Sequence, residues 1–428
     1  MKRIYILFSI LTAWQWAIGQ EKVTLSWAIT QALENNYGIR LAKLSALASV
    51  TQNNWGTTGI YPSVALNGNY NAILEQADND TKTNTYYGGV DVNWIFFNGL
   101  GAVIEKGKLE KMEELSNGQV AALVEETVKN VSVAYYSLLL ATEQANVIAK
   151  QANLSEDLYN YQEERKKIGT AISFDVLQAK TAWLENKSAL IRQEIAINDA
   201  KRTLLLLIGA SGNDIPELAD SLAPVFYNYP LDSLLQNMAS SNKNIANQYL
   251  QLAIKEDDIA YAKSRYLPTL QASSGSGLYG TSVDNDVTAK TDANGMRYKI
   301  GISLSIPIFT GGQRSRAVQL AKIAKEVQAV TINQMTQTLN NNLRSAHESY
   351  LLNNTLVELA QENSAAAELN YSLAQEKFRA GSINSFNLRD VQNNYLNAEI
   401  NILQAKFQLL ASELDLLLLS GSIIKELD

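Results

Sequence analysis

Cysteine is absent from this 428-residue chain, histidine occurs once, at position 347, and proline only six times. Without thiols there is no disulfide, no thiolate nucleophile, no Cys/His metal cluster and no N-terminal cysteine to acylate. His347 alone, inside a long helical run with no ligand partners in sequence, reads as structural, and no nucleophile-and-base constellation remains to support an enzyme. No cofactor motif or metal-ligand spacing is present either. A basic excess is also missing: 36 Lys and Arg against 43 Asp and Glu give a net charge of −7, the wrong sign for a nucleic-acid binder. Past the N-terminus no stretch offers the roughly 18 apolar residues of a membrane-spanning helix. If the chain crosses a membrane, it must do so as β-strands.

What is present begins with MKRIYILFSILTAWQWAIGQ. Lys2 and Arg3 precede an apolar run, and small residues stand at Ala17 and Gly19, so residues 1–20 read as a secretory signal peptide cleaved after Gly19 or Gln20. The mature protein is expected outside the cytoplasm.

The chain then repeats itself. KKIGTAISFDVLQAK at 166–180 and FRAGSINSFNLRDVQ at 378–392 share a Gly-(Thr/Ser)-x-x-Ser-Phe-(Asp/Asn)-(Val/Leu) core 212 residues apart. The same shift superposes LLLLIG at 204–209 on LLLLSG at 416–421, and upstream a shift of 206 aligns Asn36 with Asn242 and Pro62 with Pro268. This predicts a first repeat over 21–210, a linker over 211–230 containing three of the prolines, and a second repeat over 231–428.

Each repeat reads as a helix, a β-hairpin (about 63–97 and about 269–309) and a long helical hairpin with its tip at 169–173 or 381–385. All six prolines fall outside the four long runs, as continuous helices require. The longest runs, about 103–167 and 313–379, would extend on the order of 100 Å. Val176, Trp183, Leu190, Ile197 and Leu204 recur every seven residues, matched by Leu388, Tyr395, Ile402, Leu409 and Leu416, which predicts supercoiled helix packing. At the tips Gly169 and Gly381 suit a chain reversal, and Ser173 and Ser385 are expected to cap the returning helices.

Tyr298, Ile300, Ile302, Leu304, Ile306 and Ile308 alternate with Lys299, Gly301, Ser303, Ser305 and Pro307, and Val90, Val92, Trp94 and Phe96 alternate with Gly89, Asp91, Asn93 and Ile95. That period of two fits strands with one face in lipid and one in water, and Trp94, Phe96, Tyr298 and Phe309 are the expected interface aromatics. Two hairpins give only four strands, too few to close a barrel, so the barrel must be shared between copies. Two copies give eight strands around a filled interior; three give twelve around an open lumen, and the trimer is preferred.

In this order and duplication the residues resemble the TolC-like outer membrane efflux proteins, over nearly the whole mature chain. The resemblance implies a mainly α protein with a β-barrel portion: a homotrimer whose 12-stranded barrel lies in outer-membrane lipid and continues into a helical tunnel in the periplasm of a Gram-negative bacterium. It implies the exit duct of a tripartite efflux pump, working with a periplasmic adaptor and an inner-membrane transporter. The same duct in type I protein secretion, or a periplasmic coiled-coil scaffold without a pore, are the alternatives. By resemblance the adaptor docks around Gly169, Thr170, Ala171 and Gly381, Ser382, Ile383. Asp175, Asn387 and Asp390 would lie at the periplasmic constriction, with an amide at 387 where the family carries an acid. Arg165, Lys166, Lys167, Lys377 and Arg379 precede the turns, where they would pair with such acids.

Overall fold

A computed structural model describes residues 23–427 apart from 77–79, 211–214, 216 and 286–289; the expected signal peptide, most of the linker's first residues and both strand-connecting loop tips lie outside the described residues. In chain order the elements are α1 (Leu25–Asn35), α2 (Tyr37–Gln52), β1 (Ser63–Glu75), β2 (Thr81–Asn98), α3 (Gly101–Lys167) and α4 (Ser173–Ile208). Then follow α5 (Leu231–Ser241), α6 (Lys243–Ser264), β3 (Thr269–Asn285), β4 (Thr291–Ser305), α7 (Gln313–Arg379), α8 (Ser385–Ser420) and α9 (Ile423–Leu427). The long helices α3 and α7 have 67 residues each, and the returning α4 and α8 have 36 each. Proline borders these helices and never enters them, so no backbone donor is lost within them.

The chain divides into two compact units. The first comprises Met1–Ala42, Val120–Lys243 and Thr336–Asp428, and its described part is helical apart from the segments between helices and an isolated bridge from Val23 to Leu218. Its core follows the seven-residue stripes. Val131 and Leu138 on α3 pack with Leu204 and Ile208 on α4 and with Ala28 and Ala32 on α1. Val147 on α3 packs with Tyr371 on α7 and Leu388 and Tyr395 on α8.

The two halves of this unit repeat their contacts as well as their elements. Tyr159 stacks on Trp183 with centroids 5.5 Å apart, and Tyr371 stacks on Tyr395 at 5.3 Å. Where α1 gives way to α2, the Asn36 amide donates to the Leu207 carbonyl at 2.7 Å; between α5 and α6, Asn242 donates to Leu419 at 3.1 Å. Each asparagine thereby satisfies a carbonyl near the open C-terminal end of a returning helix, one of those the helix itself leaves unpaired.

The second unit comprises Lys43–Gln119 and Asn244–Met335. It holds one antiparallel sheet in the order β1-β2-β3-β4 and the helical stretches that flank it in sequence. Ion pairs tie those helices together: Lys111 to Asp257 at 2.6 Å, Lys108 to Asp258 at 2.9 Å, and Lys325 to Glu256 at 2.8 Å. β3 is longer than its Gly- and Ser-rich sequence suggests, because a ladder with β2 holds it from Thr269 to Asn285 and one with β4 from Thr269 to Val283.

Two details of the strands differ from the alternation in sequence. β4 stops at Ser305, so Ile306, Ile308 and Phe309 lie beyond it. Its partner β3 begins at Thr269, opposite Ser305, and Pro307 has no N–H to extend the ladder. In β2 the register shifts between Ile95 and Phe97, which leaves Phe96 as the extra residue of a bulge and puts Phe97 opposite Leu270.

Candidate functional site

Two regions carry the residues singled out by sequence, the helical turns of the first unit and the sheet of the second. At the first turn Gly169 adopts φ 76°, at the second Gly381 adopts φ 72°, a left-handed conformation that glycine enters without the clash of a Cβ. The closing bonds are the same at both. Gly169 N donates to Lys166 and Thr170 N to Arg165, at 3.0 and 2.8 Å; Gly381 N donates to Phe378 and Ser382 N to Lys377, also at 3.0 and 2.8 Å. This is a Schellman closure, which satisfies two of the last carbonyls of α3 and α7. Basic residues fill the last turn of each helix, where they complement its dipole.

The expected caps need correction. The N-cap of α4 is Ile172, with no side-chain bond, and that of α8 is Asn384, whose side chain accepts from Asn387 N at 2.9 Å. Ser173 and Ser385 are the first helical residues, one position too far in for a side chain to cap. The chain needs four residues after each long helix to close the Schellman turn and re-enter helix, so the cap falls on 172 and 384.

Thr170, Ala171, Ser382 and Ile383 lie in the turns themselves, and all but the half-buried Ala171 and Ile383 are exposed. Arg165 folds onto the first turn: its guanidinium donates to the Thr170 carbonyl at 3.0 Å, while the Thr170 hydroxyl donates back to the Arg165 carbonyl at 3.0 Å. Lys167 pairs with Glu164 at 2.7 Å, so these two cations are engaged within their own helix end. Asp175 stands half-buried in the first turn of α4; Asn387 and Asp390 are both exposed on α8. Sequence reasoning passed over the apolar residues here. Ile168, Ile172 and Phe174 are well exposed, and Phe174 and Leu177 line a groove of about 580 Å³ shared with Arg389 and Asn393.

The sheet has two chemically distinct faces. One carries Val64, Leu66, Val90, Trp94, Ile300 and Ile302, all exposed, with Ile300 at 89%. Trp94 donates its indole N–H to the Ile60 carbonyl at 2.8 Å and packs on Phe96 at 5.7 Å; Tyr298 is on the same face at mid-strand, and Phe309 is exposed after β4 ends. The opposite face carries Asn67, Asn69 and Asn71 on β1, Thr83 and Thr85 on β2, and Arg297 and Lys299 on β4. Here Lys299 reaches across β3 to Asp91 on β2, 2.6 Å away, and Asn67 on β1 donates to the same carboxylate at 2.8 Å. Gly275 lies between them in the ladder, and a side chain there would overlap both Asp91 and Lys299. Ser274 and Ser276 of β3 interrupt the first face, which is otherwise apolar around mid-strand; a mainly apolar face backed by a hydrogen-bonded polar one is what a strand needs between lipid and an aqueous lumen. No helix among the described residues is long and apolar enough to cross a membrane.

Comparison with known proteins gives the same arrangement a family. The family model of outer membrane efflux proteins matches residues 28–210 and again 234–422. A probable outer membrane lipoprotein of Salmonella typhimurium, SilC, is 23% identical over 411 residues, covering 92% of this chain and 84% of that protein. Outer membrane protein TolC of Escherichia coli K12 is 23% identical over 305 residues, 68% of this chain and 60% of its own length. Among solved structures, the Campylobacter jejuni CmeC outer membrane channel superposes with a TM-score of 0.76 at 17% identity, covering 94% of this chain and 88% of that one.

Proposed function

Since the chain belongs to the outer membrane efflux protein family, we propose that it is the outer-membrane exit duct of a tripartite efflux pump, three copies closing one 12-stranded barrel. The observation that carries this reading is the sheet: four strands, one apolar face, one polar face, and two outer edges, β1 and β4, that have no partner within the described residues of the chain. Edges of that kind do not survive in lipid unless another copy pairs with them. The polar face then lines the lumen. The relatives' names favour efflux over protein secretion, since they include cation, antibiotic and toluene efflux systems. On this reading the chain is not an enzyme, and solute leaves through it passively.

On this reading the turns at 169–173 and 381–385 receive a periplasmic adaptor, and Asp175, Asn387 and Asp390 ring the periplasmic entrance. The shared Schellman geometry supports the first point, because it presents the two turns of each copy alike. The position of Asp390 two turns or fewer from the start of α8 supports the second, since three copies would bring three such carboxylates to one ring.

Purified chain in a planar bilayer should give discrete conductance steps and a native mass of three copies. A monomeric chain without conductance overturns the reading. Asp390→Asn should weaken block by trivalent cations; unchanged block removes Asp390 from the entrance. Photo-crosslinkers at positions 170 and 382 should capture the adaptor, and capture from neither position removes the turns as its dock.

A further inference from the structure

We infer that an exposed leucine stripe on α4 of one copy packs, antiparallel and in one fixed register, against an exposed leucine stripe on α7 of the next. The inference rests on the trimeric reading above and specifies which surfaces meet.

Each helix already buries one stripe within its own chain. On α7 that stripe is Leu343, Tyr350, Val357 and Tyr371, spaced by sevens or a multiple of seven. On α4 it includes Val176, Ala179 and Leu204. A second stripe, again at sevens, runs along the far side of α7 and beside the buried stripe of α4, where it ends at the buried Leu205. On α4 it is Leu177, Leu184 and Ile191, exposed to 63, 47 and 54%; on α7 it is Leu352, Leu359 and Leu373, exposed to 59, 57 and 48%. A helix with two apolar stripes needs two partners, and these second stripes remain about half exposed or more within the described chain. Strict sevens on both surfaces are the spacing of knobs-into-holes packing, which makes another long helix the fitting occupant.

Register follows from the turns and the charges. α4 starts just after one turn and α7 ends just before the equivalent one, so aligning the turns sets the helices antiparallel. Leu177 then faces Leu373, Leu184 faces Ala366, and Ile191 faces Leu359. In the same alignment Arg192 faces Glu358, Arg202 faces Glu348, and Lys187 stands one residue from facing Glu362. A slip of one heptad in either direction keeps apolar residues in contact but sets Arg192 against Leu351 or Ala365 and loses all three opposite-charge pairs. The unpaired sheet edges have the same origin: β1 and α4 belong to the first half of the chain, β4 and α7 to the second. First half against second half is a head-to-tail contact, the kind that closes a ring.

The absence of cysteine makes the test direct. Full-length chain carrying L177C with L373C is oxidised in the membrane and run on denaturing, non-reducing gels, and I191C with L359C serves as a second in-register pair. Both should shift the protein from monomer to covalent trimer, reversibly with reductant, because a disulfide needs Cβ atoms about 3.5–4.5 Å apart. The pair one heptad out of register, L184C with L359C, should stay monomeric. Crosslinking of the slipped pair, or no trimer from either in-register pair, overturns the inference. So does capture of a co-expressed adaptor by Cys at 177 in place of a second copy. Native mass of the unoxidised protein separates the two levels: if it is not trimeric the channel reading fails, and if it is trimeric without the crosslinks only this seam fails.

Discussion

The imidazole Nε2 of His347 lies 3.0 Å from the carbonyl oxygen of Tyr229, and, the acceptor being a carbonyl, it is the donor. In the other half the Tyr135 hydroxyl lies 2.9 Å from the carbonyl of Val23 and 2.7 Å from the Asp220 carboxylate. The two donors are 212 residues apart and the two acceptors 206, the same shifts that relate the rest of the halves. The chain's single histidine is thus a structural pin in the place of a tyrosine. Burial and Asp220 together push the Tyr135 hydroxyl far above its ordinary pKa, so it stays a donor at any working pH.

Replacing the pins should therefore cost stability unequally. His347→Ala removes one hydrogen bond to a carbonyl and should cost about 1 kcal/mol. Tyr135→Phe removes the hydroxyl from the Asp220 carboxylate and the Val23 carbonyl, which keep only the backbone N–H groups of Leu25 and Ala219 as donors, and should cost about 1.5–3 kcal/mol. Thermal unfolding of the detergent-solubilised protein ranks them, and an equal or reversed order contradicts the account.

Glycines at the two ends of a helical hairpin should also differ. Gly169 has φ 76° and no neighbouring atom within 4 Å of the point a Cβ would occupy, so Gly169→Ala meets only the left-handed backbone cost of about 1–2 kcal/mol. Gly209 has φ 68°, and a Cβ there would overlap the Asn35 carbonyl, beside the Asn36 amide that holds Leu207. Gly209→Ala should accordingly lower the melting temperature more than Gly169→Ala, and comparable shifts would refute the packing role of Gly209.

How much of this was readable from sequence depends on the range of the signal. Helix continuity was, because proline absence and sevens are local, and the Tyr159–Trp183 stack falls on one predicted heptad position. The caps were not: Ile172 caps by backbone geometry alone, and Asn384 is displaced by one residue from the more conspicuous Ser385. The bulge at Phe96 was hidden because Trp94 and Phe96 keep the alternating pattern that the β3 ladder breaks. His347 reads as structural from sequence, but its equivalence to Tyr135 does not, because identity matching between halves could not pair a histidine with a tyrosine. Asp91 with Lys299 depends on a glycine on the intervening strand, which no local pattern reveals.

That last arrangement makes its own prediction. Gly275→Val should fill the space through which Lys299 reaches Asp91, leaving a carboxylate on the polar sheet face without its cation. Gly301→Ala, whose added Cβ would meet only the Ser273 hydroxyl at 3.4 Å, should be tolerated. The first variant should lower the temperature at which the assembled protein dissociates in detergent, the second should leave it nearly unchanged, and indistinguishable variants would show that the cross-strand pair adds no stability.

Glu125 should set a pH dependence on the helical unit. It is 7% exposed on α3, and burial raises its pKa while Lys243 partly opposes the shift. A folded-state pKa above the unfolded value means the folded protein holds the proton longer. Stability is then full below the unfolded pKa, about 4.3 for glutamate, and is lost as pH rises through the folded value. Glu125→Gln should remove that loss, raising the melting temperature at neutral pH and leaving it nearly unchanged in acid. Glu256 should behave in the opposite sense, because Lys325 at 2.8 Å lowers its pKa. Its contribution is present above the unfolded pKa and disappears as pH falls through the folded one, so Glu256→Gln should destabilise at neutral pH and converge with the parent protein in acid. Melting curves of the three proteins over one pH series test both signs together, and parallel curves would mean that neither carboxylate is linked to folding.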